Sequence, residues 1–343
     1  MCRTCLQAVI IDIILITLFI LPAGCKPVET GPPDTSGPAA LPENAAILFL
    51  SNRDTGTGRF EIYSMDEDGG SVTRVTNSNE QHFIFGISPS RRYIAATRGT
   101  EEQKRIWLLD LETGEERPLT GEKDNAEGRS FSPDGEWLVF WMVPKGEQYS
   151  DIYKIKLDGS APVNLTNTPQ ANEFDPAFSV GGDRIAFVSN DGQPDRFVLK
   201  LMDAEGTNVS TLYDPTDAAL TERFPAGVYD PSWGAGDKEI LVDKPVRFTG
   251  GGENGGAGVW HIFSVDVNDG TARDLTAAGE LADSALYLPS FSPDGKRVAA
   301  SLRQGPEDPS GTTLDIVAMN SDGTGVQKLT GAPWMDQFPV WIK

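Results

Sequence analysis

Beyond residue 25 the chain has no cysteine: Cys2, Cys5 and Cys25 are all it contains, so a disulfide framework is excluded for everything that follows. Histidine is nearly as scarce. His82 and His261 are the only two, too few for a three-histidine metal site, so no metal or cofactor is expected. Basic residues are short as well, 29 Lys and Arg against 50 Asp and Glu, a net charge of −21. A phosphate backbone meets no electrostatic attraction on such a surface, which argues against nucleic acid as a partner. There is no G-x-S-x-G element, and Gly250-Gly-Gly-Glu-Asn-Gly-Gly256 lacks the Lys-Ser/Thr of a phosphate-binding loop. No residue is assigned a catalytic role.

Turn formers are plentiful. Gly 36 and Pro 24 together make 60 of 343 residues, about 17% against roughly 12% in average usage, which points to many short strands. The N-terminus is different: Leu6 to Ile20 is apolar apart from Gln7, Asp12 and Thr17, follows a single Arg3, and runs into Leu21-Pro22-Ala23-Gly24-Cys25. This is the plan of a secretory signal over residues 1–24. Residues 26–45 carry five prolines among small polar residues without apolar periodicity, and read as an extended tether.

Small residues before a cysteine at the end of an apolar run resemble the bacterial lipobox, with Pro22 where that motif prefers Leu. The resemblance implies cleavage before Cys25, lipidation of Cys25 and a lipid-anchored protein of the bacterial cell envelope. Lys26 in place of Asp implies the outer membrane facing the periplasm, or the cell surface. The alternative is an uncleaved anchor helix.

Past residue 45 the chain repeats itself. Ser130-Phe-Ser-Pro-Asp-Gly-Glu-Trp-Leu-Val-Phe140 recurs as Ser290-Phe-Ser-Pro-Asp-Gly-Lys-Arg-Val-Ala-Ala300, with looser copies from Gly86, Ala177 and Ser232. The anchors Ile87, Phe131, Phe178, Trp233, Phe291 and Trp341 are spaced by 44, 47, 55, 58 and 50 residues, periods that signal propellers or arrays. Each unit then holds an alternating segment such as Ile106 to Asp110 and a segment ending in Leu-Thr, as at Leu119-Thr120, Leu165-Thr166, Leu275-Thr276 and Leu329-Thr330. With Ser-Pro-Asp-Gly and Asp-Gly as tight turns, the pattern predicts four strands per unit, a to d. The chain begins with a b strand at 46–51 and ends with an a strand at 338–342, so strand a of the C-terminus is expected to join strands b–d of the N-terminus. An all-β, six-bladed β-propeller over 46–343 follows, closed so that no edge is left free.

An aromatic followed by Ser-Pro-Asp-Gly and a short apolar strand resembles the TolB-like, WD40-like propeller repeat. That resemblance implies a propeller fold; the family it points to spans the periplasmic protein TolB, propellers of prolyl-oligopeptidase-like enzymes and many envelope proteins. No segment of the sequence is expected to form the N-terminal α/β domain of TolB or the hydrolase domain of the peptidases.

In such a blade the b–c loops and d–a crossovers share one face, and they carry the insertions at 143–150, 190–196, 214–230, 244–259, 277–288 and 303–313. That face is the expected recognition surface. Its candidates are Phe83, Phe174, Tyr229 and Tyr287, at one repeat position before strand a, with Phe248, Arg223, Arg247 and Arg303, types that make hot spots for a protein or peptide. The same aromatics would also serve as blade packing. Asp175 and Asp230, each before Pro, would point into the channel, to bind a cation or do acid–base work. Asp66-Glu-Asp68-Gly69 and Asn320-Ser-Asp322-Gly323 read as hairpin turns, since they lack the further oxygen ligands of a calcium loop. The expected function is a non-catalytic module that binds an envelope protein or peptide; the alternative is a propeller hydrolase or lyase acting on peptide or carbohydrate.

Overall fold

A computed structural model describes residues 39–55, 59–78, 80–100, 103–122, 124–194, 196–215, 226–249, 257–303, 313–331 and 333–342. They form five sheets, antiparallel apart from two short parallel pairings: three of four strands, one of five, and one of eight in which two four-stranded sets are joined by the single parallel pair Trp260↔Ala285. The first holds β1 (Ile47–Ser51), β2 (Glu61–Met65) and β3 (Thr73–Arg74). The second holds β4 (Gln81–Ile87), β5 (Tyr93–Thr100), β6 (Gln103–Asp110) and β7 (Glu116–Pro118), and the third β8 (Asn125–Phe131), β9 (Trp137–Val143), β10 (Asp151–Lys156) and β11 (Val163–Asn164). Next come β12 (Glu173–Phe178), β13 (Arg184–Ser189), β14 (Arg196–Asp203) and β15 (Ser210–Tyr213), with the short β16 (Ala226–Gly227) parallel to β14. Then follow β17 (Tyr229–Trp233), β18 (Glu239–Thr249), β19 (Ala257–Asp266) and β20 (Ala272–Asp274), and β21 (Ala285–Phe291), β22 (Arg297–Arg303), β23 (Leu314–Asn320) and β24 (Gln327–Lys328). The last strand, β25 (Asp336–Trp341), pairs antiparallel with β1. Cys25 and Arg223 lie outside the described residues, as does the Gly250–Gly256 stretch.

The repeated residues do local work that explains their spacing. In the first hairpin of a unit, the serine hydroxyl accepts the backbone N–H five residues on: Ser88 from Tyr93 (3.0 Å), Ser132 from Trp137 (3.0 Å), Ser179 from Arg184 (3.1 Å) and Ser292 from Arg297 (2.9 Å). The turn glycines Gly135, Gly182 and Gly295 have φ of 73°, 81° and 70°, where a Cβ is unfavourable. The Leu-Thr motif is a second clamp. The hydroxyl of Thr76, Thr120, Thr166, Thr276 or Thr330 accepts the N–H of Ile62, Ile106, Ile152, Ile262 or Ile316 at 2.9 to 3.2 Å. The preceding Val75, Leu119, Leu165, Leu275 or Leu329 donates its N–H to the same isoleucine's carbonyl at 2.8 to 2.9 Å.

Burial follows the strand period. On β5, Ile94 and Ala96 pack with Leu48, Leu50 and Ile62 of the preceding sheet, while Ala95 between them packs with Phe131 and Leu138 of the next. The second strands are therefore apolar on both faces, as sheets covered on both sides must be. One such apolar layer brings Ala299, Ile316 and Ala318 against Ile47, Phe49 and Trp341. The first strands of successive sheets also touch: β4 with β8, β8 with β12, β12 with β17, β17 with β21, β21 with β25 and β25 with β4. The approach is close enough at β4 and β8 that a Cβ on Gly86 would stand 1.6 Å from the carbonyl oxygen of Arg129.

One expectation changes. The 244–259 insertion is largely strand rather than loop: β18 runs to Thr249 and β19 starts at Ala257, paired from Glu239↔Asp266 to Pro245↔Trp260 and, past a slip, from Arg247↔Val259 to Thr249↔Ala257. Alternation through Leu241, Asp243 and Pro245 against Ile262 and Trp260 extends the ladder, and makes this the longest hairpin among the described residues.

Candidate functional site

The first strands carry bulges, and four of them fall at a proline. Pro176, Pro231, Pro289 and Pro339 have no N–H to give to the ladder, and the register slips between Phe174 and Ala177, Tyr229 and Ser232, Tyr287 and Ser290, and on β1 between Leu48 and Leu50, opposite Pro339. The residue before each proline is turned into the left-handed region: Asp175 (φ 50°), Asp230 (51°), Leu288 (55°) and Phe338 (61°). Backbone of this kind costs about 1 kcal/mol or more per residue and re-aims a side chain. On β8 the slip lies between Glu127 and Ser130, and Gly128-Arg129 occupies the equivalent place.

The re-aimed side chains meet between the first strands. Arg129 Nη2 lies 3.3 Å from Asp230 Oδ1, and its guanidinium stands 4.7 Å from the centre of the Phe338 ring. Asp243, on β18 directly opposite Tyr229, joins them; it is 2% exposed, and its Oδ1 has no hydrogen-bond partner among the described residues. Glu127 completes the group and is paired at 2.7 Å with buried Lys104. Four carboxyl groups thus share two cations. Burial, and then the charge of Asp230, holds the Asp175 carboxyl well above the usual carboxylate range. Burial and the same neighbour raise Asp243, and burial pushes Asp230 up to about 6 although Arg129 opposes it. Such a cluster keeps protons at pH values where a solvated carboxylate has lost them.

Aromatic rings pack beside the group, as blade packing where Trp141, Phe174, Phe197 and Trp260 are buried, with only Tyr229 and Tyr287 partly exposed. Trp141, Phe174, Phe197, Tyr229, Trp260 and Tyr287 form an unbroken row with ring centres 5.3 to 6.0 Å apart, crossing from β9 to β21. Phe174, Tyr229 and Tyr287 sit at one register position, opposite Val188, Asp243 and Ser301. Tyr287 is hydrogen-bonded to Arg303, and burial raises both tyrosine hydroxyls. Phe83 departs from the expectation. Its sheet carries the slip between His82 and Ile84, so Phe83 itself is the bulged residue and its ring packs 4.7 Å from Lys104 Nζ. An equal offset in sequence does not give an equal place when the bulge moves.

Arg247 pairs with exposed Asp283 on the β18 extension, away from the buried group, and the Phe248 side chain lies outside the described residues. Sequence reasoning missed Asp243, Arg129 and Glu127. Their signals were an acid inside the apolar run Ile240-Leu-Val-Asp243, and Arg129 at the repeat position that elsewhere holds proline. Both ring nitrogens of His261 are engaged, by Asp274 at 2.7 Å and the Ala282 carbonyl at 3.1 Å. His82 Nε2 lies 2.9 Å from Ser78 Oγ. Asp66 accepts the N–H groups of Asp68 and Gly70 in a closed turn. Among the described residues no three His, Asp, Glu or Cys side chains converge closely enough to hold one metal ion.

Comparison with known proteins fits this architecture. An uncharacterized protein of Agrobacterium fabrum is 30% identical over 163 residues, 46% of this chain and 54% of that one. The Protein TolB homolog of Chlorobaculum tepidum is 32% identical over 126 residues, 35% of this chain and 26% of its own. The chain thus spans about half or less of the length of these relatives. The crystal structure of TolB from Acinetobacter baumannii superposes with a TM-score of 0.65 at 21% identity, over 88% of this chain and 68% of that one, a likeness of fold. The TolB beta propeller domain profile matches residues 44–219, just over half of the sequence. With its four-stranded sheets, Ser-Pro-Asp-Gly hairpins and packed first strands, the chain belongs to the TolB beta propeller domain family.

Proposed function

We propose that this is a cell-envelope lipoprotein, lipidated on Cys25 and tethered by residues 26–45, whose propeller over 46–343 binds a protein or peptide without catalysis. On this reading the propeller has six blades, and β25 closes it on β1. The register Ile47↔Trp341 to Ser51↔Asp336 and the cyclic contacts of the first strands support closure.

The observation that carries the binding role is the pair of partly exposed rings, Tyr229 and Tyr287, beside the buried carboxyl group of Asp243. It lies on the face from which the β18–β19 hairpin extends. Exposed aromatic side chains beside charged ones are what a peptide-binding surface uses. A lipid chain would hold the protein at a membrane without using this surface.

Cross-linking in cells tests the reading. The intact chain is compared with a variant in which 246–258 is replaced by a two-residue turn, followed by affinity capture and mass spectrometry. One envelope protein enriched by the intact chain and lost with the trimmed hairpin is the expected result. No enrichment above the untagged control would sink the binding role, and labelled palmitate that fails to enter the wild type, or enters Cys25→Ser equally, would sink the anchor on Cys25.

A further inference from the structure

The carboxyl cluster between the first strands has acceptors left over. Asp243 Oδ1 is unpartnered in a residue 2% exposed. On β25, Gln337 occupies the register position held by Tyr229 and Tyr287 elsewhere, and its Oε1 is unpartnered in a residue 4% exposed. A buried acceptor without a donor costs about 1–3 kcal/mol, so two at one level of the inner strands point to a ligand that supplies donors. Arg129 does not fill the role, because it spans Asp230 and the Phe338 ring, and Lys104 is spent on Glu127.

We propose that this site takes a cationic nitrogen group of a polypeptide, an ammonium or guanidinium, which passes Tyr229 and Tyr287 and is held by Asp175, Asp230 and Asp243. The chemistry of the lining selects this class. The carboxylates do not converge on one point as metal coordination requires. A group with three to five N–H donors can reach acceptors that are spread apart. Tyr229 and Tyr287, both partly exposed, offer ring faces to a desolvated cation.

Protons are the counterpart of the ligand. The titratable and charged groups facing the cluster are Asp175 from β12, Tyr229 and Asp230 from β17, Asp243 from β18, Glu127 and Arg129 from β8, Lys104 from β6 and Tyr287 with Arg303 from β21 and β22; β25 contributes neutral Gln337. An arriving cation stabilises the ionised carboxylates, so binding releases protons to solvent.

The inference rests on the peptide-binding reading and deepens it, and one titration separates the two. The full chain in detergent is titrated calorimetrically at pH 6, in two buffers of different ionisation enthalpy. The probes are blocked hexapeptides of one sequence carrying Lys, Arg or norleucine at the centre, and the norleucine peptide with a free N-terminus. At least one cationic peptide is expected to bind tenfold or more tighter than the blocked norleucine peptide, with proton release. Which one binds separates a side chain from a chain terminus. Asp243→Asn should lose at least tenfold in that affinity and most of the released protons, while thermal unfolding shows it folded. Asp230→Asn is the second variant. Equal binding of cationic and neutral peptides, no binding by any probe, or unchanged affinity in Asp243→Asn would overturn the proposal. If Asp243→Asn still captures the envelope partner, the binding role stands and the cation site falls; if cationic peptides bind while nothing is captured, the reverse holds.

Discussion

Arg129 on β8 and Asp230 on β17 are 101 residues apart in sequence and 3.3 Å apart in space. They belong to sheets separated by a third, with β12 packed between their strands. The pair ties the first strands together at the point where negative charge accumulates.

Removing the cation should therefore cost stability in a pH-dependent way. Arg129→Met leaves Asp175, Asp230 and Asp243 without their shared counter-charge. Breaking a buried pair on one side costs on the order of 3 kcal/mol. At pH 8 the melting temperature is expected to fall by several degrees. At pH 4.5, where Asp230 is protonated in the folded state, the loss should be much smaller. Thermal unfolding at both pH values checks this, and equal losses would show that packing on Phe338 dominates.

Glu173 gives the opposite sign. It is 2% exposed, its Oε2 is unpartnered, and burial pushes its carboxyl up to about 7. The folded form keeps its proton above the unfolded value of 4.5, so stability is lost as pH rises from about 4.5 to 7 and is level beyond. Glu173→Gln stays neutral throughout. It should match the wild type at pH 4 and exceed it at pH 8 by on the order of 2 kcal/mol, read from urea unfolding.

The Leu-Thr clamp is open to a near-isosteric test. Thr120→Val removes the acceptor for the Ile106 N–H and leaves that buried donor unpaired, at about 1–2 kcal/mol. Thr120→Ser keeps the acceptor and should lose less than half as much. Losses of equal size in the two variants would assign the threonine's role to its methyl group.

Glycine substitutions should divide by contact rather than by conformation alone. Gly114 has φ 75° and nothing within 4 Å of an added Cβ, so Gly114→Ala is expected to cost about 1 kcal/mol. Gly86→Ala drives a methyl into the Arg129 carbonyl, and should leave little soluble folded protein in an expression and melting assay.

Sequence carried the hairpins well because their causes are local. Ser132 reaches Trp137 across one turn, and Thr120 reaches Ile106 across another, so each leaves a fixed spacing. The carboxyl cluster was only half legible, through Asp175 and Asp230. Asp243 comes from the strand after Asp230 and Arg129 from another repeat, and each is a single departure from the local pattern. Nothing local says that such departures face one another. Phe83 misled for a related reason: a bulge shifted by one pairing step moves the side chain, while counting residues along the chain does not register the slip.

The β1–β25 pairing also sets a schedule for biogenesis. Asp336 leaves the ribosome 285 residues after Ser51, its partner across the ladder. At 5–20 residues per second, β1 waits on the order of 15–60 s with a bare hydrogen-bonding edge and the apolar side chains of Ile47 and Phe49 uncovered. A chain interrupted anywhere upstream of Asp336 never acquires its cover. Quality control by holdases and proteases should therefore act most strongly on late-truncated chains, which carry nearly all of the sheets but still present one sticky strand.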